Sequence, residues 1–151
     1  MRNQSKTLIF GIGNCGRADD GLGWAFLDKI KPHLPNNYDV EYRYQLQIDD
    51  AELVAQYQTV FFIDAHKNSF EQGYLFEVCH PRATDSFTSH ELDPKSVLLL
   101  TKTIYHKTPE AYLLGITGEK FCLSMGLSNI AQINLSNALD FFNEKILNLV
   151  N

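Results

Sequence analysis

The segment TVFFIDA at 59–65 is hydrophobic on both of the faces a strand would present. A strand of that kind needs cover on both sides, which points to a parallel sheet between two layers of helices. KTLIFGI at 6–12 is a second short apolar run and ends in glycine-rich punctuation, as a buried strand does. The rest of the chain supplies the cover. A helix from about Asp20 buries Leu22, Phe26 and Ile30 at every fourth position, and Pro32 and Pro35 end it. VEYRYQ at 40–45 reads as a strand, and DDAELVAQY at 49–57 as a short helix with acidic residues in its first turn. GYLFEVC (73–79) and AYLLGIT (111–117) are two further strands, separated by an irregular loop over 82–92 and a helix over 92–106 with Pro94 in its first turn. Ser128 can cap a last helix in which Ala131, Leu135, Ala138, Phe142, Ile146 and Leu149 share one face. This alternation predicts an α/β fold over 1–151 as a single domain: a three-layer α/β/α sandwich around a mostly parallel sheet.

Charge and composition narrow the partners. The 151 residues carry a net charge of −5 and no basic run, which argues against a nucleic-acid or anionic-membrane surface. The longest apolar runs, VLLL at 97–100 and VFFI at 60–63, fall far short of a membrane span. The N-terminal stretch MRNQSKTLIFGIGN has a short apolar patch but no small-residue cleavage site, so it does not read as a signal peptide. Cys15, Cys79 and Cys122 are odd in number and share no C-x-x-C spacing; a reducing cytoplasm is expected, with neither a disulfide framework nor a zinc ribbon.

In open α/β sheets, ligands bind beyond the carboxyl ends of the strands, where strand order reverses. That rule singles out residues 11–23, residues 64–68 and the stretch around His90. GIGNCGRADDGLG contains the G-x-G-x-x-G of a dinucleotide-binding turn. Yet Asp19 and Asp20 would face the pyrophosphate, and no acidic residue closes the second strand, which runs into Gln45, Leu46 and Gln47. GIGNCG also resembles the opening of peptidyl-tRNA hydrolases, in which a histidine follows in an Arg-His-Asn context. Here Ala18-Asp19-Asp20 stands instead, on an acidic chain unsuited to tRNA.

Carboxylates remain. Asp64 emerges from a buried strand at its carboxyl end, and a lone buried carboxylate needs a metal, a cation or a helix terminus as partner. His90 lies in SHEL at the start of the next helix. Were these loops to converge, two carboxylates and an imidazole would meet in one cleft, a ligand set that leaves positions open on a metal. Plainer readings stand beside this one. Asp19 and Asp20 can cap a helix, and Asp64 can be a structural acid. His66, His80 and His106 rival His90. Cys15 reads as small loop filler, Asn14 as the residue whose amide tightens the turn, and Thr117, Gly118 and Glu119 as a solvated turn or the rim of a substrate groove.

Taken together, GIGN-CGRA-DDGLG, FFIDA, SHEL and LLGITGEKF–GLS resemble the hydrogenase maturation endopeptidases, from Leu8 to the last helix. Those enzymes trim a C-terminal extension from the large subunit of nickel–iron hydrogenases after nickel insertion. The segment 89–121 looks most like the branch serving soluble, cofactor-reducing hydrogenases. The resemblance implies a five-stranded sheet, a monomer, a hydrogenase large-subunit precursor as partner, and no organic cofactor. Carried over motif by motif, it implies that Asp20, Asp64 and His90 ligate nickel supplied by the substrate, with zinc or cadmium as surrogates. Asp20, Asp64 and Asp19 are then the candidate catalytic carboxylates. Two departures stand out. Gly16 replaces a bulky apolar residue and would loosen the loop, and position 20 carries the shorter Asp where some members have Glu. A non-catalytic metal-sensing or partner-docking protein of the same fold is the alternative.

Overall fold

The computed structural model describes residues 6–83 and 92–148. β1 (Thr7–Ile12) is buried at every position, and β3 (Thr59–His66) from its second residue to its fifth. The two run parallel and adjacent, with Leu8 opposite Val60 and Phe10 opposite Phe62, as strands apolar on both faces require. β2 (Tyr38–Arg43) lies on the far side of β1, and β5 (Glu110–Thr117) on the far side of β3. β4 (Tyr74–Val78) closes the sheet as an antiparallel edge strand, giving the order β2-β1-β3-β5-β4.

Side chains alternate across the pleat, so each face has its own core. Leu8, Phe10, Val60 and Phe62 pack with Val54, Val97 and Leu98 from α2 (Asp50–Val54) and α3 (Pro94–Tyr105). Ile9, Phe61, Ile63, Leu114 and Ile116 face α1 (Leu22–Ile30) and α4 (Asn129–Phe141), meeting Leu22, Phe26, Ile30, Ala131, Leu135 and Ala138. The result is the expected three-layer α/β/α sandwich with five strands, four of them parallel. Among the described residues no helix is long and apolar enough to cross a membrane.

Both expected helix stripes are buried, through Phe142 in the second; Ile146 is half-buried and Leu149 lies outside the described residues. Ser128 caps α4 by accepting from the Ala131 N–H at 3.2 Å, and Asp93 caps α3 from beside Pro94. The ends differ from the sequence reading. Residues Ala18–Gly21 form a tight 3-10 turn, in which the Asp20 N–H reaches back to the Arg17 carbonyl, so α1 begins at Leu22. α2 stops at Val54, and beyond α4 the chain widens into a π turn over Phe142–Ile146.

α1 rests unusually close to the sheet. A Cβ on Gly23 would stand 2.6 Å from the carbonyl oxygens of both Ile12, the last residue of β1, and Ile63, inside β3. Backbone on both sides cannot yield as a side chain can. Gly23→Ala should therefore lower stability by about 2–3 kcal/mol, read as a reduced midpoint in urea unfolding.

Candidate functional site

β1 continues through α1 to β2 on one side, while β3 lies on the other side of β1. The carboxyl ends of β1 and β3 therefore mark the point where strand order reverses. An open cleft of about 330 Å³ sits there. Asp20, from the loop after β1, and Asp64, near the end of β3, both line it, together with Lys67, Asp93, Tyr44 and Phe121. Asp64 follows four buried apolar residues and is itself half-buried. Its Oδ1 accepts from the Ala65 N–H at 2.7 Å.

The glycine loop delivers Asp20 to this cleft by bonding to itself and to the turn after β5. The N–H of Gly13 donates to the Arg43 carbonyl, that of Asn14 to Asp20, and that of Arg17 back to Asn14. The Asn14 side-chain oxygen accepts from the Gly16 N–H at 2.8 Å, the turn-tightening role expected of it. Gly16 is itself held, because its carbonyl accepts from the Ser124 N–H at 3.1 Å. The N–H groups of Ala18, Asp19 and Asp20 donate to Ser124, Lys120 and Arg17. From Gly13 to Asp20 every amide but that of Cys15 is thus engaged within the protein, leaving no nest of donors for a pyrophosphate. Gly13 serves proximity instead: with φ at 144°, a Cβ there would lie 2.0 Å from the Asp20 carbonyl oxygen.

The two neighbouring carboxylates part company. Ala18 holds φ at 51°, in the left-handed region, and beyond it Asp20 lines the cleft while Asp19 turns inward and is 0% exposed. Asp19 does not line the cleft. Its carboxylate accepts from the N–H groups of Glu119 (2.7 Å), Lys120 (2.9 Å) and Ser128 (2.7 Å) and from the Ser128 hydroxyl (2.7 Å). Buried, outside the cleft and bonded through both oxygens, it is placed to hold the fold rather than to meet a substrate water. The capping of its own helix expected of it is not made; it instead holds Ser128, the N-cap residue of α4.

The described histidines stay out of the cleft. His66 accepts from the Asn68 N–H through Nδ1 at 3.0 Å and sets its ring edge-on to Phe70. His33 and His106 precede β2 and β5, at the amino edge of the parallel strands, and His80 follows β4 beside the beginning of β5. His90 lies outside the described residues. Among the described residues no group of three or more His, Cys, Asp and Glu side chains is arranged to hold a metal ion. Cys15 and Cys122 are exposed, and burial pushes the Cys79 thiol up to about 11, where it is inert. Sequence reasoning passed over Lys67 and Phe121, although Lys67 stands three residues past Asp64, in the loop leaving the same strand.

Asp19 also leaves a signature in the stability of the fold. Burial by itself would raise its pKa, but the N–H groups of Lys120, Ser128 and Glu119 and the Ser128 hydroxyl outweigh it and hold the carboxyl below its ordinary value of 3.8. A carboxyl whose pKa is depressed on folding adds stability above its unfolded value, and that stability fades as pH falls through the folded one. Asp19→Ala should lower stability by about 3 kcal/mol at neutral pH, since it strands buried N–H groups. The gap between wild type and variant should stay flat above about pH 5 and shrink below 3.8, as read by urea unfolding across that range.

No protein-family model and no curated protein matches this sequence. Solved structures do. The chain is similar to the hydrogenase maturating endopeptidase HybD from E. coli (TM-score 0.70, 15% identity, 89% of this chain and 88% of the other). It is similar as well to a hydrogenase 2 maturation peptidase from a Thaumarchaeota archaeon (0.69, 24%, 97% and 100%). A third is the [NiFe] hydrogenase maturation protease HycI from Thermococcus kodakarensis (0.70, 19%, 93% and 91%). The chain has the fold of these proteins along nearly its full length.

Proposed function

We propose that this protein is an endopeptidase that removes the C-terminal extension of a nickel–iron hydrogenase large-subunit precursor once nickel is in place. One observation carries the reading: Asp20 and Asp64 line a single cleft at the switch point of a fold shared with solved hydrogenase maturation proteases. An open cleft fits a peptide substrate, and ionised carboxylates suit the two tasks such a reaction sets. They ligate a divalent cation, and they accept a proton from attacking water.

Nickel is part of the substrate in this account. Asp20 and Asp64, with His90 as third ligand, complete its coordination, so that only a nickel-loaded precursor is seated with its scissile bond in the cleft. Zinc or cadmium would occupy the same ligands as surrogates. His90 precedes by two residues Leu92, which lines the cleft. In the hydrolysis, water adds to the peptide carbonyl carbon, its proton passes to a carboxylate, and that proton ends on the leaving amine nitrogen. Asp20 fits the proton-accepting role, since the bonds of Asp19 are spent on the fold. The enzyme acts as a cytoplasmic monomer without an organic cofactor.

Incubation with a purified nickel-loaded precursor, followed by intact-mass spectrometry, tests the reading. Wild type should shorten the precursor at one C-terminal bond, with Asp20→Asn and Asp64→Asn slower by at least about 100-fold while still folded by circular dichroism. An uncut precursor, or one cut equally well by both variants, sinks the proposal; capture without cutting would instead mark a metal-sensing binder.

A further inference from the structure

The cleft is lined by three carboxylates, Asp20, Asp64 and Asp93, and by one cationic side chain among the described residues, Lys67. Lys67 also lines a second groove of about 520 Å³, which continues past Phe121 along Ser69, Thr117, Gly118, Glu119 and Ile130. There too it is the one cation among the described lining residues. Lys67 and Phe121 are the two residues common to both hollows, so together they form the ridge between them. The ammonium sits 5.5 Å from the centre of the Phe121 ring, and that contact gives a long exposed side chain a preferred place. The two ion pairs among the described residues both belong to Arg43, so no carboxylate there holds Lys67.

The N–H groups of residues 117–120, at the floor of the second groove, are already engaged. Thr117 donates its N–H to Gly73 and its carbonyl accepts from the Asn134 side chain. Gly118 donates to His66, while Glu119 and Lys120 donate to the buried Asp19. The carbonyl oxygens of an incoming peptide therefore find no free N–H donor on that turn and depend on side chains instead. Of those at the ridge, Lys67 is the strong donor to an oxygen, and Phe121 and Ile130, 43% exposed, offer apolar contact.

We propose that Lys67 is the substrate clamp of this protein: its ammonium holds a backbone carbonyl oxygen of the precursor where the peptide crosses from the cleft into the Ser69–Ile130 groove. The groove takes the residues flanking the scissile bond. This assignment rests on the endopeptidase reading above, and it gives the acid-lined cleft its means of gripping an uncharged peptide.

Two readouts test it. The first is the affinity of a fluorescein-labelled synthetic peptide spanning the cleavage junction, followed by anisotropy on metal-free protein; the second is kcat and KM on nickel-loaded precursor. Lys67→Met, which keeps the stem and drops the charge, should weaken peptide binding and raise KM about tenfold, and Lys67→Arg should recover most of the loss. If wild type cuts and Lys67→Met matches it in affinity and KM, the clamp is wrong and the endopeptidase reading survives. If wild type binds the peptide but cuts nothing, the endopeptidase reading fails and the affinity comparison alone decides the clamp. Absence of both binding and cutting overturns the two together.

Discussion

Asp19 holds the functional end of this molecule in place. It collects four hydrogen bonds from a turn that follows roughly a hundred residues later in the chain, and it does so with no exposure to solvent. A buried carboxylate is costly to desolvate unless its acceptor positions are filled, and here they are filled by groups that would themselves be stranded without it. The bonds close a ring: glycine loop to the turn after β5, that turn to the N-cap of α4, and α4 back onto α1 through the core. The loop that carries Asp20 to the cleft is part of that ring.

The same economy explains two adjacent acids with opposite fates. One carboxylate locks the loop and the other lines the cleft at its tip, and the kink at Ala18 separates them. Because the loop amides are used up internally, the tip is rigid, and a rigid tip suits a group that must meet a metal or a water at a fixed place. Lys67 adds the opposite charge on the ridge beside them.

The layers were legible in the sequence because burial on both faces of TVFFIDA admits few alternatives, and because Leu22, Phe26 and Ile30 recur at a helical period. Asp64 was legible for a related reason: a charge at the end of an apolar strand lands at the sheet's carboxyl edge whatever the details. The inward turn of Asp19 was not, since nothing local distinguishes Asp19 from Asp20; its partners are fixed by tertiary pairing of 14–20 with 118–128. The glycine spacing imitates a dinucleotide-binding turn, as the acids beside it already indicated, and the structure shows what it serves instead. Gly13 answers to the Asp20 carbonyl and Gly23 to the carbonyls of Ile12 and Ile63, and phosphate enters neither requirement. Lys67 and Phe121 come from opposite halves of the chain, and only folding sets them side by side.

The central claim is that Asp20 and Asp64 form one metal-seating cleft, with His90 as their third ligand. Calorimetric titration with nickel and with cadmium tests it most directly, run on wild type and on Asp20→Ala, Asp64→Ala and His90→Ala. The account predicts one site in the wild type, weakened at least about tenfold by each of the three changes. A wild type that binds neither metal, or variants that bind as tightly as wild type, would contradict it.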